Sequence, residues 1–177
     1  MVSSSPVPDT QTYGAENVDG MMTVGPGMAS FPTLSDGWRL HVHTWHAKEP
    51  LGVVLYCHGW NEMIDSVVVR RLAAGLLLKG ISLVAYDHDM HGKSMGMWPH
   101  SICSGNIKYM RTAALHCVEI AMIVCKEQLP FVIIGHSLGG ATAMLATERI
   151  TQMCKKERSS ELLLKGSIYL APGNNGE

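Results

Sequence analysis

Residues 131–140 read Phe131-Val132-Ile133-Ile134-Gly135-His136-Ser137-Leu138-Gly139-Gly140. A β-branched and aromatic run, of the kind that forms a strand buried on both faces, leads into a Gly-X-Ser-X-Gly turn and then into an Ala-rich helix start. A serine on such a turn has its hydroxyl pushed out at the carboxyl edge of a sheet. The flanking Gly135 and Gly139 fit a crowded, strained turn in which a side chain would strike the neighbouring strand or helix. Read locally, Ser137 is also a plausible helix N-cap on a Gly-rich turn. No His and no Asp follow Ser137 anywhere in the chain.

Working upstream, Gly52-Val53-Val54-Leu55-Tyr56-Cys57 and Ile81-Ser82-Leu83-Val84-Ala85-Tyr86 repeat the buried-strand pattern. The first ends at His58-Gly59 and the second at Asp87. Between them the apolar spacing predicts a helix over 67–78, closed by Gly80. Further helices are expected over 107–126, interrupted at Leu129-Pro130, and over 141–153. A charged connection over 155–161 then leads to a last strand at 166–170. Nearer the amino terminus, 29–33 and 38–46 read as a hairpin joined at Ser35-Asp36-Gly37. Residues 1–27, rich in Ser, Pro, Gly and Asn, are expected to be a disordered leader, followed by one domain over 28–177.

A hairpin followed by alternating strands and helices predicts an α/β fold with a mostly parallel sheet and helices on both faces. In such sheets ligand chemistry gathers at the carboxyl ends of the strands. That places interest on His58-Gly59-Trp60, Asp87 to Ser94, Ser137 and Pro172-Gly173. Acyl transfer needs two backbone N–H donors aimed at the developing oxyanion. Leu138, just after the serine, and Trp60, on the loop after an earlier strand, are placed to supply them. His58 is read as a hydrogen-bonding support for that loop, and Asp87 as fixing its own turn through side-chain to backbone bonds. His88, His91 and His100 are read as solvated loop residues.

Composition narrows the function classes. The chain has 177 residues, 46% hydrophobic, with 14 basic against 15 acidic side chains. No basic patch marks a nucleic-acid partner. The five Cys (57, 103, 117, 125 and 154) include no close CxxC pair, which argues against a zinc site or a disulfide framework and for reduced thiols in the cytosol. No metal and no cofactor are expected. The amino terminus has no secretory h-region, and no apolar run reaches membrane-spanning length.

Three ordered blocks then carry a family resemblance. His58-Gly59-Trp60-Asn61-Glu62, Ala85-Tyr86-Asp87 with His91-Gly92-Lys93-Ser94-Met95-Gly96, and Gly135-His136-Ser137-Leu138-Gly139-Gly140 together resemble the α/β-hydrolase superfamily. They are most similar to its monoacylglycerol lipase and lysophospholipase branch, grouped with serine aminopeptidases. The resemblance implies Ser137 as nucleophile, Trp60 and Leu138 as oxyanion donors, and His58, Gly59, Gly135 and Gly139 in support. It implies a small lipid or ester as substrate, and a cytoplasmic protein with peripheral membrane contact in a full-length form. Two departures stand out: Asn61 where Gly is common, and Asp89-Met90 where an Arg-Gly pair is often seen. In the family, the triad Asp and His and a cap segment lie beyond the last strand seen here. The reading therefore expects an amino-terminal part of the domain, with a catalytically inactive truncated isoform or a binding-only pseudo-hydrolase as the alternative.

Overall fold

The computed structural model describes residues 15–18, 21–96, 107–124, 129–156 and 163–170. Eight strands and three helices occur among them: β1 (Ala15–Val18), β2 (Met21–Val24), β3 (Met28–Ser30), β4 (Val42–Trp45), β5 (Gly52–Cys57), α1 (Val67–Leu77), β6 (Ile81–Tyr86), α2 (Ile107–Val124), β7 (Pro130–His136), α3 (Leu138–Lys156) and β8 (Leu163–Leu170). Six strands form one sheet in the order β3-β4-β6-β5-β7-β8. The pairs β6–β5, β5–β7 and β7–β8 are parallel, and β3–β4 and β4–β6 are antiparallel. The expected mostly parallel α/β sheet is present.

The alternation of side chains along β5 separates two cores. Val53, Leu55 and Cys57 face one side and pack with Phe131, Ile133 and Tyr86 against Cys117, Ile120 and Ala121 of α2 and Ala143, Ala146 and Ile150 of α3. Val54 and Tyr56 face the other side, where Leu83 and Ala85 meet Val69, Ala73 and Leu77 of α1. Cys57 and Cys117, far apart in sequence, bring their reduced Sγ atoms within 3.6 Å of each other in the first core. α1 begins at Ser66, whose hydroxyl accepts the Val69 N–H, and Gly80 at φ 69° follows its end as the sequence predicts. No described helix is long and apolar enough to cross a membrane.

Several boundaries differ from the sequence reading. Residues 15–18 and 21–24, assigned to a disordered leader, form the antiparallel pair β1–β2. Thr23 and Val24 are buried there, Val24 within the α1-side core, and the Trp45 Nε1–H donates to the Gly25 carbonyl at 2.9 Å. The second strand of the expected hairpin starts at Val42 rather than Trp38, because Thr33 and Arg39 make only an isolated bridge around the turn. α3 starts at Leu138, directly after the serine, and runs to Lys156. β8 starts at Leu163, with a register irregularity in its pairing opposite Phe131/Val132. Residues 1–14, the loop over 97–106, the end of the helix expected over 107–126, most of the charged connection over 155–161, and Pro172-Gly173 lie outside the described residues.

β8 is the outermost strand of the sheet among the described residues, and Leu163, Ile168, Tyr169 and Leu170 are 40–49% exposed on it. An apolar strand with an unpaired edge invites intermolecular pairing. The 177-residue chain expressed by itself should bind a hydrophobic dye and self-associate, and Ile168→Lys should reduce both. Sedimentation velocity with dye titration checks this; a dye-silent monomer would refute it.

Candidate active site

Ser137 is the single residue between β7, which ends at His136, and α3, which begins at Leu138. The turn is so sharp that Ser137 sits at φ 52°, in the left-handed region that side chains rarely adopt. Such strain persists only where the surroundings enforce it, and it clusters at functional positions. The enforcement is visible. The Ser137 N–H donates to the Leu170 carbonyl at the end of β8 (3.3 Å), while the Ser137 carbonyl accepts the Gly140 N–H (2.9 Å) inside the first turn of α3. A Cβ on Gly135 would overlap the Gly139 carbonyl and lie 2.7 Å from Gly140 Cα. One on Gly139 would overlap the Cys57 carbonyl. The two glycines therefore let α3 descend onto β7 and onto the end of β5. As the first residue of α3, Leu138 has an N–H with no acceptor within the helix, so it is available to a ligand.

The second strand end contributes the loop that carries Trp60. His58 is buried, and both of its ring nitrogens are engaged. Nδ1–H donates to the Gly59 carbonyl at 2.6 Å, and Nε2 accepts the His88 N–H at 2.9 Å. His88 returns a bond from its own Nε2–H to the His58 carbonyl at 3.1 Å. This reciprocal pair staples the ends of β5 and β6. Burial holds His58 neutral, with its pKa pulled down to about 4, and the neighbouring His91 pushes the same way. Burial drives His88 well below the ordinary histidine value, reinforced by His58 and His91. Trp60 stacks edge-on against the His91 ring at 5.8 Å, and Asn61 turns the chain at φ 56°. His58 thus ties the loop after β5 to the one after β6.

The histidines after β6 are not solvated. His88 is 0% and His91 6% exposed, which corrects the sequence reading; His100 lies outside the described residues. A polar ring is buried when bonds await it, and here the His58 backbone and the Asp89 carbonyl (3.0 Å from His91 Nδ1) supply them. Asp87 does bond its own turn, through the Lys93 N–H at 3.0 Å. It also binds the Ile64 N–H (2.9 Å) and His41 Nδ1 (2.8 Å), so it joins three segments. His116 on α2 reaches Asp36 at 2.8 Å and lies 3.6 Å from Asp89. Burial opposes its charge, but the two carboxylates prevail and raise its pKa.

A pH dependence follows from these directions. Below the ordinary value of 6.5 the unfolded chain protonates His58 and His88 while the folded chain refuses, so stability falls as pH drops from 6.5 toward 4. For His58 the shift corresponds to on the order of 3 kcal/mol. His116 acts oppositely: its contribution is full below 6.5 and is lost as pH rises through its raised value. Denaturant midpoints measured from pH 7.5 to 4.5 should decline, and the decline should flatten in His58→Gln. An equally steep decline in that variant would contradict the assignment.

Two residues that the sequence reading quoted only within motifs prove central to the geometry. Glu62 Oε1 lies 2.8 Å from His136 Nδ1, and Glu62 Oε2 accepts the Gly59 N–H at 2.8 Å. Both side chains line a cleft of about 550 Å³ with Tyr56, Met63, Val68 and Leu170, beside the serine turn. The bond to Gly59 had a signal in the position of Glu62, three residues after the Gly of the loop; the bond to His136 had none.

Comparison with known proteins agrees with this geometry. The family model described as "Serine aminopeptidase, S33" matches residues 48–170. No curated protein matches the chain by sequence. Among solved structures, the α/β hydrolase GrgF from Penicillium sp. sh18 aligns with TM-score 0.63 and 19% identity, covering 82% of this chain and 45% of that one. A carboxyl esterase from Bacillus coagulans, solved with glycerol, aligns at TM-score 0.61 and 20% identity over 80% of this chain and 43% of that one. A soluble variant of monoglyceride lipase from Saccharomyces cerevisiae, solved with a substrate analog, aligns at TM-score 0.57 and 21% identity over 82% and 45%. The chain thus spans less than half the length of these three structures, which share its fold. With the match covering both strand-end loops and the serine turn, the chain belongs to the S33 serine aminopeptidase family of α/β hydrolases.

Proposed function

We propose that Ser137 is the nucleophile of a carboxylic ester hydrolase of the monoacylglycerol lipase and lysophospholipase type, acting through an acyl-enzyme on a small lipid ester. The observation that carries this reading is the left-handed Ser137 wedged between β7 and α3 with no intervening loop. In this reading the carbonyl carbon of the ester is attacked by Ser137 Oγ. The oxyanion is met by the N–H groups of Trp60 and Leu138, and His58, Gly59, Gly135 and Gly139 hold those groups in place. The cleft lined by Met63, Val68 and Leu170 gives the site an apolar flank. A monoglyceride lipase among the structural matches supports the lipid ester class.

Removing the Ser137 proton needs a base, because a serine hydroxyl is a weak nucleophile at neutral pH. Among the described residues no side chain hydrogen-bonds the Ser137 hydroxyl. That observation favours a second reading for the 177-residue polypeptide, a binding-only or inactive form of the hydrolase. The two separate in a labelling experiment. A fluorophosphonate should form a Ser137-dependent adduct that Ser137→Ala abolishes, at a rate several orders of magnitude below that of a complete triad. No adduct at all on prolonged exposure would leave the binding-only reading.

A further inference from the structure

Resting on the reading of Trp60 and Leu138 as oxyanion donors, we propose that Glu62 is a positioning residue that clasps the loop after β5 to the serine turn after β7. The two N–H donors belong to different segments, so their separation is set by whatever joins those segments at the site. Glu62 is such a joint. Its Oε2 accepts the Gly59 N–H at 2.8 Å, one residue before Trp60. Its Oε1 takes the Nδ1–H of His136, one residue before Ser137, at 2.8 Å. One carboxylate thus uses both oxygens, each on the residue adjoining a site position.

The local backbone is shaped for this purpose. Asn61 takes the left-handed conformation that Asn tolerates better than most residues, and this turns Glu62 back over the loop. The Glu62 N–H then donates to the Gly59 carbonyl at 3.3 Å. Gly59 leaves only a tight space for a side chain: a Cβ there would lie 3.0 Å from His136 Nδ1 and 3.2 Å from Glu62 Cδ. The glycine lets the imidazole and the carboxylate close directly over the loop. The pair itself is partly open to solvent, with side chains 41% and 38% exposed, and exposed pairs contribute little to global stability. The geometry therefore serves local register rather than the core. The bond from Nδ1–H to the carboxylate also fixes the His136 tautomer, with the proton on Nδ1.

The test separates the clasp from the hydrolase reading by using two kinds of measurement. In a Ser137→Ala background, where no acyl chemistry is at stake, Glu62→Ala should speed amide hydrogen exchange at Gly59 roughly tenfold, the scale expected for losing one charge-assisted bond. It should also move the His136 ring nitrogen signals away from the Nδ1–H tautomer. Exchange at core amides such as Leu55 should stay unchanged. His136→Gln should reproduce part of the Gly59 effect, and the double variant should show less than the combined change. With Ser137 present, Glu62→Ala should slow fluorophosphonate labelling about tenfold, and Glu62→Gln, which can still accept the Gly59 bond, should recover part of it. The clasp is overturned if Gly59 exchange and the His136 ring signals do not respond, or if core amides speed up equally. Unchanged labelling of a chain that does label removes the positioning role. If the unsubstituted chain forms no adduct, the hydrolase reading fails and the clasp is decided on the exchange and ring signals.

Discussion

Gly139→Ala should destabilise the chain by at least about 3 kcal/mol, while Gly140→Ala one position later should be neutral or stabilising by about 0.5–1 kcal/mol. A methyl on Gly139 would overlap the Cys57 carbonyl and stand 2.5 Å from the His58 oxygen, so backbone would meet backbone at the junction of α3 with β5. Neither element can yield. β5 is central, paired to β6 on one side and β7 on the other, and α3 is anchored by the bonds of the Ser137 turn. At Gly140 the nearest neighbour to an added Cβ is the Gly135 carbonyl at 3.5 Å, an ordinary contact, and Ala is the better helix former. Urea unfolding of the two variants beside the unsubstituted chain measures the difference. Similar midpoints for both would mean that α3 does not descend onto β5 as described.

The same pair of glycines shows what was legible in the sequence. Gly-X-Ser-X-Gly after an apolar run announced both the turn and its glycines, because a steric requirement of a short segment is written in that segment. The apolar runs of β5 and β6 were equally plain, since strands covered on both faces carry little else. The hidden features depend on partners distant in the chain. Met21–Val24 looks too short and too polar in its surroundings to order itself, and Val24 is buried only because α1 and Trp45 are there to receive it. His88 and His91, in a polar Gly-containing loop, read as solvent-facing. Their burial rests on the His58 backbone and the Asp89 carbonyl, which only the folded chain places within reach. Glu62 was visible as a letter in a motif, but its bond to His136 joins two strand ends and has no local signature.

Asp87→Ala should cost about 3–5 kcal/mol, because it leaves three buried or half-buried donors without their acceptor at about 1–3 kcal/mol each, partly offset by relaxation. The Asp87 side chain is 2% exposed and that of its partner His41 is 1% exposed, so neither can fall back on water. Three bonds end together: from His41 Nδ1 at 2.8 Å, from the Ile64 N–H at 2.9 Å and from the Lys93 N–H at 3.0 Å. Two buried or half-buried amides and an imidazole would be left without their acceptor, each with its own desolvation cost. The turn after β6 would loosen as well. Gly92, at φ 50°, leaves no room for a Cβ beside the Asp87 carboxylate (Oδ1 at 2.6 Å), so the turn is folded around that carboxylate. Asp87→Asn keeps the shape but replaces one acceptor oxygen by a donor, and should fall between the two. The consequence reaches the site through Ile64, which lies on the same segment as Trp60 and Glu62. Loss of its bond to Asp87 frees the far end of the donor loop while His58 still holds the near end. Guanidinium unfolding followed by tryptophan fluorescence should rank the unsubstituted chain above Asp87→Asn and that above Asp87→Ala. A midpoint for Asp87→Ala within about 1 kcal/mol of the unsubstituted chain would show that the carboxylate is not the joint of these three segments.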